Sequence, residues 1–300
     1  MLSVLAWIFI AATFWWVVFP LLVIFYRYTI GQRLFSRRRR LRDAGEWAIV
    51  TGATDGIGKG FVQELASDGL NIVLISRNAE KLDVVAEEIR TGYGVSVKCI
   101  QADFTKLDIY EKIGKEISSL PSIACLINNV GITNLNPFCT GMRMEDIQNM
   151  IACNTISMAS MTHLVLPQLL KQNSGAAIIN LSSYAGCEII PYLAVYGATK
   201  AFVKHLTVSL ALEMNDKNLL IQAACPLRVS TAMTDNRRGY FIITPRDCAA
   251  SILNQLGVGI VTVGHIRHAI QIFLLSFARP IIAKVIEQRY KEKLMAKKEH

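Results

Sequence analysis

Three hundred residues, 52% hydrophobic and 18% charged, leave room for a membrane-anchoring segment and one α/β domain with a full core. The net charge of +9 gathers in Arg37 to Arg40 plus Arg42 and in a lysine-rich tail. The arginines directly follow a long apolar stretch, which speaks for a membrane flank and against nucleic-acid binding. The seven cysteines form no C-x-x-C pair, which argues against a disulfide framework or zinc site and fits a reducing, cytosol-facing compartment.

Residues 2–26 are almost continuously apolar, broken by Ser3, Thr13 and Pro20. About 20 such residues cross a bilayer as a helix. A cleaved signal peptide would need a basic start, a shorter apolar core and a small-residue cleavage site, and none is evident. Residues 2–26 are therefore expected to be a retained transmembrane anchor and 27–45 a basic juxtamembrane linker. Arg27, Arg33 and the cluster after them place the main domain on the cytosolic side.

From Glu46 the pattern becomes short apolar strands alternating with amphipathic helices. Strands are expected at 47–50, 71–75, 95–100, 124–127, 177–181 and 219–223. Helices are expected at 57–67, 83–90, 145–171 and 195–214. This alternation implies an α/β domain with a doubly wound parallel sheet of Rossmann type, over residues 46–235. Past Pro226 the alternation fades. Residues 236–300 are read as a segment that borders the substrate cleft or the membrane, plus a basic tail. Within them, 269–278 is apolar but too short to span. A core helix, a membrane-surface helix and a cover over a lipid cleft all stay open for it. His265 and His268 lack a carboxylate or cysteine at ligand spacing, so both read as surface histidines with no metal.

Chemistry gathers at five places. After the first strand comes Thr51-Gly52-Ala53-Thr54-Asp55-Gly56-Ile57-Gly58. Glycines at a strand end and helix start let the backbone approach a pyrophosphate, and the helix N-terminus offers free N–H groups. An Asn128-Asn129-Val130-Gly131 turn follows the fourth strand, and Ser183 ends the fifth. Tyr196 and Lys200, four residues apart on a helix, share one face. An ammonium there is expected to lower the phenol from about 10 toward neutrality. The second strand ends in Ser76-Arg77, where an NAD enzyme usually carries an acid for the ribose 2′-hydroxyl. An arginine there can pair with a 2′-phosphate instead. Asp55 is a competing charge if it points inward.

The spacing G-x-x-x-G-x-G, the N-N-x-G turn, Asn154, Ser183 thirteen residues before Tyr196, and Y-x-x-x-K resemble the short-chain dehydrogenase/reductase family from about Trp47 to Thr231. Leu227 departs from its common Pro-Gly after the sixth strand and puts the local backbone path in question. The resemblance implies an enzyme in which Asn154, Ser183, Tyr196 and Lys200 are catalytic and Ser183 also binds substrate. It implies NADPH bound by Gly52, Thr54, Gly56, Ile57, Gly58, Ser76, Arg77, Asp103, Asn129, Tyr196, Lys200, Val229 and Thr231. Asp103 would contact the adenine, or merely cap the next turn. Asn154 would hold a water that links Lys200 to solvent.

Together with the N-terminal anchor and basic tail, these motifs resemble the branch of endoplasmic-reticulum 17-beta-hydroxysteroid dehydrogenases and very-long-chain 3-oxoacyl-CoA reductases. That implies reduction of a steroid or 3-oxoacyl-CoA ketone, with a retinoid reductase or a silent nucleotide- or lipid-binding scaffold as alternatives. The implied partners are a lipid-like small molecule and membrane lipid, with no nucleic acid; a homodimer stays open. Lys297 and Lys298 resemble a dilysine retrieval signal of the endoplasmic reticulum.

Overall fold

The computed structural model describes residues 2–134, 142–172, 175–215, 217–278 and 288. The dilysine tail lies outside the described residues. The chain opens with one continuous helical run. It comprises α1 (Leu2–Thr13), a π turn (Phe14–Val18), α2 (Phe19–Tyr26), a second π turn (Arg27–Gly31) and α3 (Gln32–Phe35). The stretch Val4–Ala44 is long and apolar enough to cross a membrane, and the rest of the chain leaves its apolar window uncovered.

The residues read as a linker are docked on the domain. The Arg37 amide donates to the Leu256 carbonyl at 2.8 Å. Arg38 pairs with Asp68 at 2.7 Å and Glu64 at 2.8 Å, and Arg246 holds the other Glu64 oxygen at 2.7 Å. Burial alone would raise the Glu64 carboxyl, but the hydrogen bonds from Arg246 and Arg38 hold it below the usual carboxylate range. In α4 (Leu41–Ala44), Leu41 and Ala44 are buried in the core. Arg38 is therefore an internal ion-pair partner, whereas Arg33, Arg39, Arg40 and Arg42 remain exposed.

The domain alternates strand and helix: β1 (Trp47–Thr51), α5 (Gly56–Ser67), β2 (Asn71–Ser76), α6 (Ala79–Tyr93), β3 (Val97–Gln101), α7 (Tyr110–Ser118) and β4 (Ile123–Asn128). Then come α8 (Met144–Ile151), a π turn (Ala152–Ile156), α9 (Ser157–Gln172), β5 (Ala176–Leu181), α10 (Ala194–Glu213), β6 (Leu219–Ala224), α11 (Pro245–Asn254), β7 (Val261–Thr262) and α12 (Ile266–Phe277). All seven strands are parallel, in the order β3-β2-β1-β4-β5-β6-β7. The chain reverses its direction of winding between β1 and β4, and the carboxyl ends of these two strands open a crevice there. One face of the sheet packs under Phe61, Leu65, Ile89 and Ile252, the other under Ile113, Met161 and Val165. β4 and β5 are buried along their whole length, as central parallel strands must be.

Two differences from expectation have local causes. β3 starts two residues later than read, because the Ser96 amide is taken by the Asn71 side chain at 3.0 Å. The two-residue β7 escapes detection by pattern, since no alternation fits in Val261–Thr262.

Candidate active site

A cleft of about 480 Å³ lies over the switch point, a size suited to a small-molecule ligand. Its floor is tied together by Thr51 and Asn129. The Asn129 side chain donates to the carbonyls of Thr51 (3.0 Å) and Gly52 (3.2 Å). The Thr51 hydroxyl accepts from the amides of Asn129 and Val130 at 3.0 and 3.1 Å. Gly52 has φ +63°, a left-handed conformation that favours glycine. A Cβ on Gly58 would collide with the Gly52 carbonyl oxygen. Gly58 is therefore where α5 presses on the loop, and it lies beneath the cleft lining. Asn128 points the other way. Its side chain donates to Thr162 and Asn180, and Asn180 donates to Thr207, forming a buried ladder across β4 and β5.

Gly52, Thr54, Gly56, Ile57, Ser76, Arg77, Asp103, Asn129, Tyr196, Lys200 and Thr231 all line this one cleft. Val229 is buried just behind, bridged to Ile243. Ser183 and Asn154 are not among the lining residues: Ser183 is half-buried and hydrogen-bonds Tyr196, and Asn154 is buried. At the outer end, Thr54 and Ser76 share a hydroxyl–hydroxyl contact of 2.9 Å. The Asp103 carboxylate accepts from the Thr105 amide and hydroxyl at 3.0 and 2.9 Å, so it caps that turn while facing the cleft. Asp55 caps α5 through the Gly56 amide at 2.6 Å, and its second oxygen lies 4.0 Å from Lys81.

At the inner end, α10 places Tyr196 and Lys200 one turn apart. The Lys200 Nζ donates to the Leu181 carbonyl at 2.8 Å and sits 5.9 Å from the Tyr196 ring centroid. A side chain on Gly131 would press within 3.2 Å of that nitrogen. Burial pushes the ammonium down to about 8. Burial also raises the Tyr196 phenol, partly offset by its hydrogen bond with Ser183. This differs from the expected lowering by Lys200. The ammonium lies over the ring face and bonds a carbonyl, so desolvation of the hydroxyl decides the direction.

Asn154 lies in the π turn between α8 and α9, a helix irregularity often found at functional sites. Its oxygen accepts from the Ile132 amide (2.8 Å), and its nitrogen donates to the Ile132 carbonyl (2.9 Å) and the Thr199 hydroxyl (3.0 Å). It thus clamps the loop after β4 to α10. His268 is fully buried rather than at the surface. Its Nδ1 lies 3.4 Å from the Leu227 amide nitrogen and 3.2 Å from the Val263 carbonyl oxygen, and its Nε2 lies 3.2 Å from the Arg228 carbonyl oxygen. Burial lowers its pKa, which keeps the ring neutral. The loop that carries Leu227 in place of glycine is therefore held by a side chain from α12.

Lys81 was missed by sequence reasoning. It lines the cleft beside Arg77, one turn into α6, where the Asn78 cap accepts its amide at 2.8 Å. The N-x-x-K spacing after β2 is the signal that could have found it.

The family model for short chain dehydrogenase matches residues 46–239. The very-long-chain 3-oxoacyl-CoA reductase-A of Danio rerio is 40% identical over 79% of this chain and 75% of that protein. The 17-beta-hydroxysteroid dehydrogenase type 3 of Homo sapiens is 42% identical over 79% and 76%. The human inactive hydroxysteroid dehydrogenase-like protein 1 is 36% identical over 82% and 76%. Among solved structures, a short-chain dehydrogenase from Sphingobium yanoikuyae in complex with NADPH superposes with a TM-score of 0.67 at 26% identity, covering 79% of this chain and 95% of that one. The chain belongs to the short-chain dehydrogenase family and is an NAD(P)-dependent oxidoreductase.

Proposed function

We propose that this chain reduces a ketone on a lipid, a 17-ketosteroid or a 3-oxoacyl-CoA, to the alcohol, with NADPH as reductant and Tyr196 as proton donor. The observation that carries this reading is the pairing of half-buried Tyr196 with buried Lys200 at one end of a cleft, with Ser183 hydrogen-bonded to Tyr196, while the other end bears Arg77 and Lys81 and no acid at Ser76. The cleft fits a dinucleotide: Gly52, Gly56 and Gly131 keep its wall free of side chains. Bound NADPH would supply the hydride.

Arg77 and Lys81 would hold the 2′-phosphate, the Gly52–Ile57 backbone the pyrophosphate, and Asp103 the adenine edge. Lys200, Val229 and Thr231 would position the nicotinamide half. Ser183 would donate to the substrate carbonyl oxygen and fix it beside Tyr196. A phenol raised by burial is protonated at neutral pH, which suits an acid in the reductive direction better than a base in the oxidative one. Asn154 keeps Lys200 and the loop after β4 in register. The relatives named for 3-oxoacyl-CoA and 17-beta-hydroxysteroid chemistry support the substrate class. One relative is named inactive, so a silent scaffold is the competing reading; the complete Asn154, Ser183, Tyr196 and Lys200 set favours turnover.

The same reading makes residues 2–26 a retained span, because the residues that follow are built into the domain through Arg38, Leu41 and Ala44. The exposed Arg33, Arg39, Arg40 and Arg42 support a domain on the cytosolic face of the endoplasmic reticulum. The test is NADPH oxidation by the purified full chain in lipid nanodiscs, with a 3-oxoacyl-CoA and a 17-ketosteroid side by side. Turnover of one with the alcohol as product is expected; no turnover of either sinks the proposal.

A further inference from the structure

We infer that α12 (Ile266–Phe277) is a second membrane element, seated in the leaflet nearest the domain alongside the N-terminal anchor; this rests on the anchor spanning the bilayer. Between His268 and Arg279 the sequence has no charged residue. In α12, His268 and Ala269 are buried, Ile270–Phe273 and Leu275 are half-buried, and Leu274, Ser276 and Phe277 are exposed. Leu274 and Phe277 are 52% and 59% exposed, an apolar surface out of place in water. The Ser276 hydroxyl donates to the Phe273 carbonyl at 2.7 Å, so its polar atom is satisfied within the helix, as a lipid environment demands.

What covers this surface is set by where α12 lies. It packs against α2, the domain-proximal part of the anchor. The anchor cannot swing away from it, because its next turns are fixed to the sheet edge. Arg27 donates to the Val261 carbonyl at 2.9 Å, and Gln255 donates to the Arg27 carbonyl at 2.9 Å. Gly257 and Gly259 leave no room for side chains against Arg37 and Arg27. A span held this way brings α12 to the bilayer with it. Twelve residues reach about 18 Å at 1.5 Å per residue, enough to enter one leaflet and too short to cross about 30 Å of hydrocarbon. Arg267, at the base, stays outside, held over the Tyr240 ring. Through His268 the same helix holds the Leu227–Arg228 backbone, and so ties the membrane seat to the wall that carries Val229 and Thr231.

The test is lipid photocrosslinking of the full chain in phosphatidylcholine vesicles that contain a diazirine-bearing phosphatidylcholine, with adducts mapped by mass spectrometry. Adducts are expected on the anchor and on 270–277, and none on Leu107 or Val84, which are equally apolar and exposed on the domain. In Leu274→Glu/Phe277→Glu the adducts on 270–277 should fall at least severalfold while those on the anchor persist. Adducts on the anchor with none on α12 would overturn the inference and leave a second copy of the chain as the cover. Adducts on neither would sink the span itself.

Discussion

The two ends of the cleft solve opposite problems with opposite means. At the inner end, Lys200 is 5% exposed and Tyr196 is held among buried neighbours, so desolvation governs both: the ammonium is pushed down to about 8 and the phenol up. At the outer end, Arg77 and Lys81 stand in solvent, where salt screens them and they contribute little to the stability of the fold. Proton transfer needs groups whose ionisation is tuned, and burial tunes it. Cofactor choice needs only a difference between two ligands, and exposed charge supplies that at no cost to the fold.

The sharpest way to break this contrast is Tyr196→Phe. The ring still packs, so the cofactor should bind with little change in Kd, while turnover falls by about a hundredfold to ten-thousandfold. Near-normal turnover would remove Tyr196 from proton transfer.

Lys200→Met probes the cost of burial. The native Lys200 titrates at about 8, below the ordinary lysine value near 10.5, so in neutral solution its charge opposes folding. Below pH 8 both folded and unfolded states carry the proton and the penalty is complete. Between about 8 and 10.5 the unfolded chain binds more protons, and native stability rises with pH. The variant should therefore be inactive yet at least as stable at pH 7, with Tm raised by about 2–4 °C for each kcal/mol recovered, and its advantage should vanish by about pH 10.5. A lower Tm at pH 7 would mean that the Leu181 hydrogen bond outweighs desolvation.

Arg77→Ala tests the outer end. Loss of a charged hydrogen bond contributes about 1.5–3 kcal/mol, or roughly ten- to a hundredfold weaker NADPH binding, with NADH nearly unaffected. Equal loss for both cofactors, read as Kd by nucleotide fluorescence, would refute a 2′-phosphate role.

The two ends were unequally legible in the sequence. Local pattern placed β1 to β6 and the sheet type, because parallel central strands are unbroken apolar runs. Order and spacing also placed Tyr196, Lys200, Ser76 and Arg77 at one cleft. What stayed hidden depends on tertiary packing. That Arg38 is an internal ion-pair partner depends on Glu64 and Asp68, both distant in sequence. That His268 is a core residue depends on the carbonyl of Arg228, forty positions away. The direction of the Tyr196 shift also escaped, since i, i+4 spacing says that two groups share a face but not that the ammonium turns to the Leu181 carbonyl. Lys81 belongs to the same class: its place in the cleft follows from how α6 is capped and aimed.

Lys81 carries the smallest expected effect and the finest test of the contrast. Its side chain is 61% exposed and lies 4.0 Å from the Asp55 carboxylate, itself 62% exposed. An equally exposed pairing of Lys81 with a phosphate is worth about 0.2–1 kcal/mol, so Lys81→Ala should weaken NADPH by no more than about fivefold, an effect that fades further in high salt. Asp55→Asn separates the two functions of that carboxylate. Asparagine caps a helix as well as aspartate does, so α5 should keep its start at Gly56 and the Tm should hold. If the 2′-phosphate binds at Arg77 and Lys81 as proposed, a negative charge beside it is then gone and Lys81 is released toward it, so NADPH should bind a few-fold tighter with NADH unchanged. In Asp55→Asn/Lys81→Ala the gain should shrink to what the lost repulsion alone provides. If Asp55→Asn weakens both cofactors alike, Asp55 acts through the shape of the glycine loop rather than its charge, and the outer end is governed by geometry instead of screened electrostatics.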